Sequence, residues 1–116
     1  MINISLIVIK TNQLEKQADF YSRLGFKFDY HNHGNGPFHF ASVGSPVVLE
    51  IYPLPKSVAA ADNTTRLGFQ VHSLDELIRN LQADGVTIVS FPAHSDWGYT
   101  AVVQDYDGRK IELSEK

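Results

Sequence analysis

Two stretches of the chain, Val47-Val48-Leu49-Glu50-Ile51 and Lys110-Ile111-Glu112-Leu113, each carry one acidic residue inside an apolar run. They lie about sixty residues apart, and a similar interval separates two upstream glycines, Gly25 and Gly85. Similarity at a fixed interval indicates a duplicated structural unit. The identity between the copies is low, so what repeats is the order of structural roles.

Each copy has the pattern of a strand, a helix and three further strands. In the first copy, Ile4–Ile9 is a branched apolar run typical of a buried strand. Apolar residues then recur at helical spacing from Leu14 to Leu24, and short apolar runs between turn-forming residues follow. Within a single domain of residues 1–116, the predicted segments are a first repeat at 1–53, a linker at 54–63 and a second repeat at 64–116.

We expect an α+β fold in which the two βαβββ units form a curved, partly open, eight-stranded barrel-like sheet with the helices outside. Side chains alternate between the two faces of a strand. Because the helices need apolar partners, Leu49 and Ile51 should face the first helix. Glu50 and Glu112 should then both point to the concave face, which is the natural place for a ligand.

Composition excludes several classes of function. The chain has 116 residues, a formal net charge of −3 and no cysteine. A weakly acidic chain without a basic stretch offers little electrostatic support for nucleic-acid binding. No apolar run approaches the roughly 20 residues that a membrane helix needs. The lack of cysteine suits a reducing compartment and the N-terminus lacks a secretion-signal pattern, so we expect a cytoplasmic protein without membrane or nucleic-acid partners.

Several motifs occur in the order found in one known superfamily. They are Leu14-Glu15-Lys16-Gln17-Ala18-Asp19-Phe20-Tyr21, Leu24-Gly25-Phe26, Trp97-Gly98 and Asp105-Tyr106-Asp107-Gly108-Arg109-Lys110-Ile111-Glu112-Leu113. Over nearly its whole length the chain resembles the vicinal oxygen chelate superfamily, which includes glyoxalase I, bleomycin-resistance proteins, fosfomycin-resistance enzymes and extradiol dioxygenases. The resemblance implies the glyoxalase/bleomycin resistance fold, a pocket for a small organic ligand and a homodimer.

The resemblance also implies where a metal would be bound. Metal-dependent members take a ligand, usually His or Gln, from the first strand of each half and a Glu from the last. The last-strand positions are Glu50 and Glu112, which match. The first-strand positions are Leu6, which has no donor atom, and Arg66, which stays charged and cannot coordinate a cation. Two carboxylates under-coordinate a divalent metal, so we expect no metal cofactor and predict a contact between Arg66 and one glutamate.

The predicted ligand pocket consists of Glu50, Arg66, Gln70, Trp97, Glu112 and His39. A purely structural ion pair explains the glutamates and the arginine equally well. Trp97 follows a predicted loop, Pro92–Asp96, and either stacks on a ligand or packs on the adjoining strand. If His39 lines the pocket, it is the best general base. His31 and His33 adjoin a glycine-rich turn with no evident third metal ligand, so we interpret them as a solvent-exposed loop.

Two functions remain open at this point. The first is a metal-independent small-molecule-binding protein of the glyoxalase/bleomycin resistance group, which sequesters a cationic or aromatic ligand. The second is a metal-dependent, glyoxalase-type lyase or isomerase, or a dioxygenase-like enzyme, in which a metal would stabilise an enolate-like intermediate. The sequence identifies no catalytic residue and no substrate.

Overall fold

The protein, described over residues 1–116 by a computed structural model, has two helices and eight strands. In chain order they are β1 (Leu6–Thr11), α1 (Leu14–Arg23), β2 (Lys27–His31), β3 (His39–Val43), β4 (Val48–Pro53), β5 (Leu67–Val71), α2 (Leu74–Ala83), β6 (Thr87–Ser95), β7 (Gly98–Gln104) and β8 (Lys110–Glu115). The chain divides into two compact units, Met1–Ala61 and Asp62–Lys116. Each unit has the predicted order βαβββ.

The first unit is a four-stranded mixed sheet with one helix on it. Its strand order is β1-β4-β3-β2, in which β1 runs parallel to β4 and the other neighbours are antiparallel. Leu49 and Ile51 on β4 are fully buried, as are Phe20 and Tyr21 on α1, and α1 packs on β1, β2 and β4. The alternation predicted for β4 is therefore confirmed.

The second unit repeats this architecture. Its strand order is β5-β8-β7-β6, with β5 parallel to β8. Ile111 and Leu113 on β8 are fully buried, and so is Val103 on the neighbouring β7. α2 supplies Leu81, which is 1% exposed, and packs on β6 and β8. Two open four-stranded sheets with one helix each confirm the α+β class.

The predicted loop Pro92–Asp96 is wrong over most of its length, because β6 continues to Ser95. The register of β6 against β7 shifts between Ile88 and Ser90 and again before Ala93. Such bulges, on a strand at the sheet edge, accommodate a proline that has no N–H to donate. Trp97 consequently lies in a tight turn between β6 and β7.

The N-terminus of α2 also differs from the sequence pattern. Ser73 and Glu76 have the spacing of a capping box, but Ser73 takes a left-handed conformation with φ of 54° and its side chain makes no cap bond. Instead, the Glu115 carboxylate at the end of β8 accepts a hydrogen bond of 3.0 Å from the Leu74 N–H. Neither helix is long and apolar enough to cross a membrane.

Candidate functional site

Each sheet has one face covered by its helix and an opposite face, which we call the helix-free face. In the first unit, Glu50 on β4 lies on the helix-free face, because its neighbours Leu49 and Ile51 are buried on the other side. It is paired in register with Val8 on β1 and with Ala41 on β3. Strand alternation places His31 of β2 and His39 of β3 on the same face.

His39 is the least exposed polar residue of this face. Its side chain is fully buried, and its Nε2 lies 3.5 Å from Glu50 Oε2. Its Nδ1 lies 3.1 Å from the carbonyl oxygen of Pro37. Since a carbonyl oxygen only accepts hydrogen bonds, Nδ1 carries the proton and donates it. The buried Nε2 has no hydrogen-bond partner.

Tyr52 completes the wall beside this histidine. Its ring stacks on His39 with a centroid distance of 3.9 Å and an interplanar angle of 10°. Partial burial and then the nearby Glu50 carboxylate raise the pKa of Tyr52, because both disfavour the phenolate. The stacking restricts the orientation of the imidazole, so the His39 Nε2 is held towards Glu50.

His31 and His33 lie beside His39. His31 is the direct cross-strand partner of His39 in the β2–β3 hairpin, and their ring centroids are 4.7 Å apart. The His33 ring lies 5.1 Å from His39. One ligand atom from each of His31, His33, His39 and Glu50 lies within 4.8 Å of the others. The prediction that His31 and His33 lie in a solvent-exposed loop without a third ligand is therefore wrong for His31, which lies on β2. His33 is exposed, as predicted, but it belongs to the same cluster.

In the second unit the equivalent carboxylate has a different neighbour. Glu112 lies on the helix-free face of β8, opposite Gly68 of β5. Arg66 Nη2 is 3.8 Å from Glu112 Oε1, with both side chains about half exposed. The predicted contact between Arg66 and a glutamate is therefore present as an ion pair. Its distance is too long for the bidentate hydrogen bond that a guanidinium and a carboxylate can form.

The remaining predicted pocket residues belong to the second unit as well. Gln70 is exposed on β5 and is paired in register with Ser114 of β8. The Trp97 side chain is 82% exposed, so it is not packed on the adjoining strand. The backbone N–H of Trp97 donates to Ser95 Oγ over 3.1 Å. Of the predicted residues, the structure brings His39 to Glu50 in one unit and Arg66 to Glu112 in the other.

The sheet order, the repeated βαβββ unit and the glutamate in each last strand define a class of protein. The model of the Glyoxalase/Bleomycin resistance protein/Dioxygenase superfamily matches residues 3–113, and the chain belongs to that superfamily. Comparison with curated proteins found no match.

Solved structures of the same fold come from several bacteria. TnmS3, an antibiotic binding protein from Streptomyces sp. CB03234, is 22% identical with a TM-score of 0.79, and the match covers 99% of this chain and 96% of that one. A superfamily member from Sphaerobacter thermophilus DSM 20745 is 22% identical with a TM-score of 0.75, over 100% and 98% of the two chains. TioX from Micromonospora sp. ML1 is 18% identical with a TM-score of 0.72, over 97% of each chain. These likenesses show the fold.

The superfamily's first-strand and last-strand metal positions do not fit a metal in this chain. Leu6 on β1 is 52% exposed and has no donor atom. Arg66, just before β5, carries a permanent positive charge beside Glu112. Each half therefore supplies one carboxylate and no first-strand ligand. A divalent ion would need donors from elsewhere in the chain.

Proposed function

We propose that this protein binds a small, flat, cationic organic molecule on the helix-free face of its first unit and sequesters it without chemical conversion. The observation that carries the proposal is the pairing of Val8 with Glu50. It sets an exposed apolar side chain directly beside a carboxylate that is itself only 17% exposed. Apolar surface with one well-placed polar group is typical of a small-molecule site.

The sign of the ligand's charge follows from the burial of Glu50. Four charged residues lie on this face, Lys10, Lys27, Asp29 and Glu50, two of each sign, and all except Glu50 are exposed. Water screens exposed charges strongly, whereas a shielded carboxylate interacts more strongly with a charge placed against it. Glu50 therefore dominates the local preference, which favours a cation.

The first unit is a better binding surface than the second because the basic residue in contact with its carboxylate is a histidine, whereas that of the second unit is an arginine. Glu112 lies next to Arg66, which offsets its charge. Glu50 lies next to His39 and is paired with the exposed Val8 of β1. A neighbour in fold, TnmS3, is an antibiotic binding protein, which supports a binding role on this scaffold.

The proposal needs no metal at the superfamily's usual positions, since Leu6 and Arg66 provide no ligand there. It further includes a homodimer in the cytoplasm. The exposed Leu6 and Val8 would be covered by a ligand or a second chain. Light scattering would then give about twice the 13.0 kDa chain mass, and a monomer at micromolar concentration would contradict this part of the proposal.

Fluorescence titration with two flat dyes of opposite charge tests the function. In a buffer containing a chelator, the cation acridine orange should bind more tightly than the anion fluorescein. Glu50→Gln should weaken acridine orange binding about tenfold or more, because a charge-assisted contact contributes about 1.5–3 kcal/mol. Glu76→Gln, an exposed acid on α2, is the matched control. Preferential binding of fluorescein, or equal effects of the two substitutions, would contradict the proposal.

A further inference from the structure

We propose that His31, His33, His39 and Glu50 form a binding site for a divalent transition-metal ion of the Zn²⁺ class. The site goes beyond the proposed binding of an organic molecule, and it shares Glu50 with it. Three of its ligands come from β2, β3 and the turn between them. It therefore differs from the metal positions that the superfamily implies at Leu6 and Arg66.

The positions of the four donor groups follow from the sheet. The β2–β3 register sets His31 opposite His39, and strand alternation sets His39 on the face of Ala41, which is paired with Glu50. His33 follows β2 in the turn and lies 5.0 Å from the His31 ring. Three of the four groups therefore sit on sheet strands, which hold side chains more rigidly than loops do.

The donor atoms would have to move only slightly closer together to bind a small ion. A tetrahedral Zn²⁺ with ligands at about 2.0–2.1 Å has neighbouring donor atoms roughly 3.3 Å apart. His39 Nε2 and Glu50 Oε2 are already 3.5 Å apart. The widest separation in the cluster is within 4.8 Å. His33 is exposed and lies in the turn, so its side chain can rotate inward.

His39 supplies an independent observation that points to a ligand. Its buried Nε2 has no hydrogen-bond partner, although buried polar atoms in folded proteins are nearly always paired. The Pro37 carbonyl accepts the Nδ1–H, so in the neutral imidazole the lone pair lies on Nε2, the atom nearest Glu50. Metal-ligating histidines usually donate their second N–H to a carbonyl or carboxylate in this way. The ring is thus held in the tautomer that binds a metal.

The donor set selects the class of ion. Three imidazole nitrogens and one carboxylate oxygen suit Zn²⁺, Ni²⁺ or Co²⁺. Ca²⁺ and Mg²⁺ prefer sites made of oxygen atoms. We therefore expect Zn²⁺ to bind and Mg²⁺ and Ca²⁺ not to compete at millimolar concentration.

Calorimetric titration of the untagged, chelator-stripped protein with Zn²⁺ alone tests the site. One Zn²⁺ should bind per chain, and His33→Ala and Glu50→Gln should each weaken binding at least tenfold, because loss of an outer-shell partner alone costs a metal site about 10–100-fold. His33 is exposed, so its substitution leaves the fold intact. His94→Ala and His72→Ala remove the two exposed histidines outside the cluster and should leave Zn²⁺ binding unchanged.

Imidazole NMR signals provide a second readout in the unsubstituted protein. On addition of one equivalent of Zn²⁺, signals of His31, His33 and His39 should move and those of His72 and His94 should not. The proposal is overturned if no Zn²⁺ binds, if all five histidines respond alike, or if His94→Ala weakens binding as much as His33→Ala. The dye titration is made in chelator and the Zn²⁺ titrations are made without dye. A negative result in one therefore does not decide the other.

Discussion

Arg109 and His39 are both fully buried, yet their surroundings differ. Arg109 Nη1 lies 3.2 Å from Asp105 Oδ2 and 3.2 Å from Asp107 Oδ2, and the Asp105 carboxylate also accepts the Arg109 N–H. A buried cation with two carboxylates in hydrogen-bonding range is a structural arrangement. His39 instead has one carboxylate, Glu50 at 3.5 Å, and two further imidazoles beside it. We therefore assign structure to the arginine and ligand binding to the histidine.

Arg109→Met should lower the free energy of unfolding by about 3–5 kcal/mol, because it leaves Asp105 and Asp107 without their buried cation. Urea denaturation followed by circular dichroism measures the change. Arg79→Met, at an exposed position of α2, is the control and should change stability by less than about 0.5 kcal/mol. A loss below about 1 kcal/mol for Arg109→Met would show that the buried ion pairs are not structural.

Tyr99 predicts a pH dependence of stability. Its hydroxyl donates to Asp75 Oδ1 over 2.7 Å, and this hydrogen bond raises the pKa of Tyr99 above its ordinary value of about 10. A group whose pKa is higher in the folded state stabilises the fold below the unfolded pKa, and that contribution is lost as pH rises through the folded pKa. Tyr99→Phe should therefore lose less stability than the unsubstituted protein between pH 9 and pH 12, roughly either side of that value. Identical losses in denaturation midpoint would argue against this bond.

At the scale of elements, α2 is capped by a residue distant in sequence. Glu115 accepts the Leu74 N–H from 41 positions away, whereas the side chain of Ser73 makes no cap bond. Glu115→Ala should cost about 1 kcal/mol, the usual effect of removing a cap acceptor. Ser73→Ala should change stability by less than about 0.5 kcal/mol. Thermal or urea denaturation of the two variants in parallel measures both changes. A larger loss of stability for Ser73→Ala than for Glu115→Ala would contradict this assignment.

The contrast between local patterns and contacts distant in sequence explains which features of the helices and strands could be predicted from the sequence. Alternation in β4 and helical spacing in α1 are local patterns driven by burial, and the structure confirms both. The cap of α2 depends on where β8 ends, which no local pattern contains. The bulges in β6 likewise depend on pairing with β7, so the strand extends through Pro92, where turn chemistry predicts a loop.

The histidine cluster could have been predicted from the sequence if the register of the β2–β3 hairpin had been known. His31 and His39 flank the β2–β3 turn, and pairing them across the hairpin brings a third imidazole to His31 and His33. Adding the β3–β4 register then brings Glu50. The register of a hairpin is set by the type and length of its turn, and the sequence alone fixes neither the type of this glycine-rich turn nor the residues at which its strands end. The residue types were therefore visible in the sequence, while their proximity was not.

At the scale of the whole chain, the duplication keeps a carboxylate in the last strand of each unit and changes what surrounds it. Glu112 has Arg66 at 3.8 Å, whereas Glu50 has His39 at 3.5 Å and exposed apolar side chains on β1. Arg66 is a permanent cation beside Glu112, whereas an imidazole and an apolar side chain adjoin Glu50. This difference between the units is the reason for placing function in the first.

The most direct test of that placement is a chemical-shift map of the ¹⁵N-labelled protein titrated with acridine orange in chelator. The largest amide shifts should fall on β1 and β4 of the first unit, around Val8, Glu50 and Tyr52. Glu50→Gln should reduce them at equal dye concentration. Shifts confined to the second unit around Arg66 and Glu112, or to the helices, would contradict the assignment of the binding face.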